Sequence, residues 1–188
     1  EFVDYLAKDQ KITDVIRLTG SGDYTETVPV LDKSGHMVSK DVSRTCEVDI
    51  ALRWGADYDT TVRSFVNIVA TPKGGTHVTG FEQALVKVVR KAVDAQSRRV
   101  KFNAKKEKIE KDDSLAGLTA VVTVRIDEPQ FEGQTKEVLG TPAARQIVAK
   151  VVERELGAFL ASTKKGEKEQ AALVVDKVVS EMLSLIHI

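Results

Sequence analysis

The 188-residue chain holds one cysteine, three histidines and four prolines, and aromatic side chains make up only 5% of it. A lone thiol, Cys46, cannot close an internal disulfide and fits a reducing compartment. Three histidines and one thiol, with neither CxxC nor HExxH, offer no ligand spacing for structural zinc. No apolar run nears the roughly 18 residues of a membrane span, and the N-terminus carries no signal-peptide pattern. Charge of one sign is not in excess. Lys+Arg and Asp+Glu both number 28, so the overall field favours neither nucleic acid nor a basic partner. A GxSxG elbow, a P-loop and a GxGxxG cradle are also missing, and the chain alone does not read as a complete enzyme.

What is present can build a core. Hydrophobic residues make up 42% and charged residues 30%, which excludes disordered and collagen-like chains. A chain of this length buries roughly 70% of its unfolded surface without staples. The expectation is one soluble, intracellular domain of strands and helices, with no membrane partner. It opens Glu1-Phe2-Val3 without an initiator Met, which predicts a piece cut from something longer.

Residues 1–45 mix short apolar groups with Gly20, Gly22 and Gly35 and read as irregular, with one or two short strands. Beyond them, Val48, Ile50, Leu52 and Trp54 alternate with polar or small residues, the period of a half-buried strand. Val62–Ala70 reads as a second strand antiparallel to it. A helix follows, with Thr79 as its cap and Phe81, Leu85, Val88, Val89 and Ala92 on one face. A basic stretch over 98–111 leads to Ala120, Val122, Val124 and Ile126, whose strand is apolar on both faces and so central. Thr141-Pro142 places a hydroxyl at N-cap and proline at N1 of a helix reaching about residue 162. A last helix uses Ala172, Val175, Val178, Val179 and Met182. The uncharged ending Leu183–Ile188 reads as a truncated or foreign tail.

Single residues offer little chemistry. His36 reads as a solvated turn residue, Cys46 as a small core group and Trp54 as a core plug. Two loops are more informative. Lys73-Gly74-Gly75-Thr76-His77 runs into a helix, where adjacent glycines suit a bound anion, close packing against another domain, or an ordinary loop. Glu132-Gly133-Gln134-Thr135-Lys136 joins a buried strand to a capped helix. A lysine there can meet a phosphate as a compact charge, with Gln134 as a neutral donor, or can simply be solvated.

Four motifs occur in order: Phe65-Val66-Asn67, Gly74-Gly75-Thr76-His77 with Gly80-Phe81, Gly117-Leu118-Thr119-Ala120-Val121, and Phe131-Glu132-Gly133-Gln134-Thr135-Lys136. Together they closely resemble the transducer domain of bacterial type II topoisomerases, the second domain of the ATPase region in the B-subunits of gyrase and topoisomerase IV. The resemblance implies an α+β fold, a mixed four-stranded sheet backed by helices, with a left-handed βαβ crossover against the usual right-handed rule. It divides the chain into a transducer domain over 1–163, a C-terminal helix over 164–182 leading toward a DNA-cleavage region, and the tail 183–188. ATP with magnesium would be bound mainly by a preceding domain, which carries the catalytic glutamate, the metal-binding asparagine and the glycine-rich lid. This chain would lend Gln134 and Lys136 to the γ-phosphate, with Gly133 and Thr135 shaping the loop.

On the close packing that adjacent glycines allow, Gly74, Gly75, Thr76 and His77 form a candidate domain-interface loop. Family members often carry an arginine before the Gly-Leu-Thr strand to face transported DNA. Asp112-Asp113-Ser114-Leu115-Ala116 offers none, so Lys105, Lys106, Lys108 and Lys111 are the candidate DNA contacts, with a solvated face as the other reading. The implied partners are double-stranded DNA, the topoisomerase A-subunit and a second B-subunit that dimerises with the first on ATP binding. The setting is the bacterial cytoplasm at the nucleoid, the activity that of the DNA gyrase class, and the isolated chain is expected to be inactive. A stand-alone nucleic-acid module using 98–111, or a scaffold dimerising through its last helix, are the competing readings.

Overall fold

The computed structural model describes residues 1–186. In chain order the elements are α1 (Phe2–Leu6), β1 (Ile16–Leu31), β2 (Met37–Trp54), β3 (Thr61–Val66), β4 (Val69–Ala70), α2 (Thr76–Ala95), α3 (Ser97–Val100), α4 (Lys111–Leu115), β5 (Leu118–Ile126), α5 (Pro142–Leu160) and α6 (Lys165–Ile186). One sheet holds every strand in the order β1-β2-β5-β3-β4. It is mixed: β3 and β5 run parallel, and the other neighbours are antiparallel. Four long strands appear as expected, and two-residue β4 adds a fifth at the edge.

Period-two patterning explains the sheet. Val48 pairs with Val124, Ile50 with Val122 and Leu52 with Ala120, so both alternating apolar sets face the same side. Helices α2, α5 and α6 cover that side through Phe81, Leu85, Val89, Val148, Val152, Val174 and Val178, in one continuous core. Burying each such side chain is worth about 1.5–3 kcal/mol, so the helical layer holds the sheet firmly. Trp54 plugs this core, its indole N–H donating to the Ser114 carbonyl at 3.0 Å. β5 lies between β2 and β3, as its two apolar faces predict.

Several expectations are corrected. Residues 16–45 are not irregular: β1 and β2 form a hairpin of sixteen paired positions. Gly20 and Gly22 resemble strand breakers but make room for α5. A Cβ on Gly20 would lie 2.5 Å from Arg154 Nη2, and one on Gly22 would lie 2.9 Å from Ile147 Cγ2. The expected single strand over 62–70 is a tight hairpin turning at Asn67 (φ 48°) and Ile68 (φ 69°). The Asn67 side chain donates to the Ile126 carbonyl at 2.6 Å and accepts from its N–H at 2.9 Å. That pairing holds β3 beside β5, so β3 does not pair with β2.

Helix α2 begins at Thr76 with Gly75 at N-cap, three residues before the expected Thr79. Thr141 and Pro142 do start α5, which ends at Leu160. In α6 the buried face runs through Ala171 and Val174 in place of Ala172. Of the segment 183–188, read as a truncated or foreign tail, residues 183–186 continue α6, and His187 and Ile188 lie outside the described residues. Among the described residues no helix is long and apolar enough to cross a membrane.

Candidate functional site

Strand β5 ends at Ile126, and the chain then returns to α5 through a narrow ladder. Gly140 N–H donates to the Gln130 carbonyl at 2.7 Å, and Glu132 N–H donates to the Val138 carbonyl at 2.9 Å. Residues 133–137 form its tip. Gly133 (φ 89°) and Lys136 (φ 57°) adopt left-handed backbone there, and for a lysine that conformation must be imposed by its surroundings. At the root the Thr141 hydroxyl accepts from Gln130 N–H at 2.9 Å, so the residue that starts α5 also fixes the loop.

The two loops singled out in the sequence are one structure. Lys73 N–H donates to the Glu137 carbonyl at 3.2 Å, Leu139 N–H to the Gly74 carbonyl at 3.1 Å, and Thr76 N–H to the Leu139 carbonyl at 2.9 Å. The Thr76 hydroxyl adds a bond to the Thr141 carbonyl at 2.7 Å. Segment 137–139 therefore has Phe131-Glu132 on one side and 73–76 on the other. Gly74 (φ 78°) and Gly75 (φ 142°) supply the backbone geometry that this contact needs.

Gly133, Gln134, Thr135 and Lys136 are exposed at the tip. Lys73 Nζ meets Glu137 Oε2 at 2.8 Å, and that ammonium holds the Glu137 carboxyl below its ordinary range. Lys136 Nζ lies 6.0 Å from the centre of the Phe131 ring and has no carboxylate within 4 Å among the described residues. The tip thus presents an unpaired cation beside a neutral amide, on backbone braced from both flanks. Such a surface can bind an anion with little reorganisation.

His77 is not on that surface. It is fully buried in the first turn of α2, its Nε2 3.2 Å from the Thr71 hydroxyl, which lies 2.7 Å from the Ser64 hydroxyl. Burial pushes its pKa down to about 4, so it is neutral at pH 7 and works as a packing group. Cys46 is buried as well, its thiol pushed up to about 11, which makes it unreactive.

The basic stretch is divided. Lys108 pairs with Glu110 at 3.2 Å and Lys111 pairs with Glu82, whereas exposed Lys105 and Lys106 have no carboxylate within 4 Å among the described residues. The stretch leads into the N-terminal end of β5, and the Lys136 tip follows its C-terminal end. Sequence reasoning missed Lys177, a buried lysine of α6. Its Nζ donates to the carbonyls of Ala56 (3.1 Å) and Asp57 (3.0 Å) and to Glu181 Oε1 (2.6 Å). The i,i+4 spacing of Lys177 and Glu181 was the signal. Among the described residues no three carboxylate, imidazole or thiol groups cluster as a metal site.

The family model for DNA gyrase B matches residues 1–186. The chain is 40% identical over 134 residues to the DNA gyrase B-subunit of Mycobacterium tuberculosis, covering 71% of this chain and 19% of that protein. It is 39% identical over 136 residues to the DNA gyrase B-subunit of Treponema denticola, covering 72% and 20%. The chain thus spans about a fifth of the length of these relatives. Its fold is similar to the 43K ATPase domain of Thermus thermophilus gyrase B (TM-score 0.74, 22% identity, 99% of this chain and 43% of that one). It is also similar to the topoisomerase IV ATP-binding domain of Francisella tularensis (TM-score 0.61, 30% identity, 75% of this chain and 37% of that one).

Proposed function

Because the chain belongs to the DNA gyrase B family, we propose that it is the part of an ATP-dependent type II topoisomerase that couples the nucleotide to DNA strand passage. The observation carrying this reading is the exposed, unpaired Lys136 at a tip braced by two flanking segments. A terminal phosphate calls for a compact cation and a neutral donor, and Lys136 with Gln134 fits both requirements. Gly133 and Thr135 set the turn that carries them. The nucleotide and its magnesium would be held mainly by a neighbouring domain, and ATP supplies there a terminal phosphate that is lost on hydrolysis.

Mechanism follows from charge. Lys136 donates to the phosphate and thereby fixes one angle between this chain and its neighbour; without that contact the chain is free to rotate. The 74–76 loop stiffens the lever through its pairing with 137–139, which passes the constraint into α2 and α5. Helix α6 packs on the same core and carries the motion toward the DNA-cleaving region. The division into a domain over 1–163 and a helix over 164–182 belongs to this proposal, as do duplex DNA, the A-subunit, ATP-driven dimerisation and a place at the cytoplasmic nucleoid. Lys105 and Lys106 are then the better DNA candidates, since Lys108 and Lys111 are already paired.

ATP turnover by the full-length protein tests the reading. A charge-assisted hydrogen bond is worth about 1.5–3 kcal/mol, so Lys136→Ala should slow turnover roughly ten- to a hundredfold, and Gln134→Ala less. Normal turnover in Lys136→Ala refutes it.

A further inference from the structure

Two lysines, Lys73 and Lys136, share the neighbourhood of a single acid, Glu137. Glu137 follows Lys136 in the chain and lies across the backbone ladder from Lys73, whose N–H donates to its carbonyl at 3.2 Å. Left-handed backbone at Lys136 (φ 57°) breaks strand alternation, so side chains 136 and 137 are not held on opposite faces. Either ammonium is therefore within reach of one half-buried carboxylate. The pairing is one-sided: Lys73 Nζ sits 2.8 Å from Glu137 Oε2, and Lys136 Nζ rests near the Phe131 ring, 6.0 Å from its centre.

We infer that Lys73 is a positioning residue: it occupies the Glu137 carboxylate and so keeps Lys136 unpaired for an incoming phosphate. The inference rests on reading Lys136 as the phosphate contact. Without Lys73, the Glu137 carboxylate turns to Lys136, and a nucleotide must break that pair before it binds. Lys73 need not touch the ligand. Its loop stays in place without its side chain, because the backbone ladder from 73 to 76 is made by main-chain groups.

The experiment is steady-state ATP hydrolysis by the full-length protein. Lys73→Ala should raise KM for ATP about two- to fivefold, the span of an exposed ion pair, and leave kcat nearly unchanged. Glu137→Gln alone should leave KM at or below that of the parent. The double variant Lys73→Ala/Glu137→Gln should return KM to the parent value, which loss of mere bracing or of a direct Lys73 contact would not do. A silent Lys73→Ala, or a defect that persists in the double variant, overturns the inference. Lys136→Ala is the reference: full turnover in that variant sinks the underlying reading, whereas strong loss there with a silent Lys73→Ala sinks the Lys73 role alone.

Discussion

Gly75 lies directly against the backbone of Leu139: a Cβ at that position would sit 2.5 Å from both the Leu139 nitrogen and its carbonyl oxygen. The contact welds the loop ahead of α2 to the arm that carries Lys136, so two loops separate in sequence behave as one support.

Replacing Gly75 therefore tests the weld. Gly75→Ala adds strain at positive φ and a backbone clash, and should cost about 2–4 kcal/mol in urea denaturation. Gly133→Ala, also at positive φ but with nothing within 4 Å of its Cβ, should cost only about 1 kcal/mol. Equal costs would contradict the packing described.

His77 predicts a dependence on pH. Its folded pKa of about 4 lies below the ordinary 6.5, so the unfolded chain binds the proton more readily. Stability contributed by neutral His77 is complete above pH 6.5, is lost as pH falls toward 4, and levels off below. Between pH 7 and 5 the loss is about 2 kcal/mol. Denaturation of His77→Gln should lose about 2 kcal/mol less than the parent between pH 7 and 5, whatever its absolute stability.

Lys177 anchors α6 to the turn at Ala56 and Asp57. Lys177→Met leaves Glu181 buried without its cation and should destabilise the chain by about 3–5 kcal/mol. Lys177→Met/Glu181→Gln should recover part of that loss in the same denaturation assay.

If Lys105 and Lys106 neutralise phosphates, replacing both with alanine should reduce the salt slope of duplex binding, measured on the full-length protein, by about 2. The same change at Lys108 and Lys111 should alter it less, since Glu110 and Glu82 already hold them.

The apolar alternation of β2 and β5 was legible because their buried residues are large and their period is clean. Thr141-Pro142 was legible because proline at N1 is a local signal, although the Thr141 hydroxyl caps no N–H of α5 and is taken by Gln130. The hairpin of β1 was not. Thr19, Ser21, Thr25 and Thr27 give it little hydrophobic contrast, and Gly20 and Gly22 answer to α5, a helix more than a hundred residues away in sequence. The register of β3 depends on Asn67 reaching Ile126, which spacing does not reveal. At the site, loop 133–136 could be picked out by its residue types, but the pairing of the following segment 137–139 with 73–76 and the Lys73–Glu137 bond exist only in three dimensions.

Amine-selective labelling of the full-length protein, read residue by residue by mass spectrometry, tests the central claim most directly. A non-hydrolysable ATP analogue should protect Lys136 strongly and ADP should not, with exposed Lys150 labelled equally throughout. Equal labelling of Lys136 with the analogue and with ADP would contradict a contact between that ammonium and the terminal phosphate.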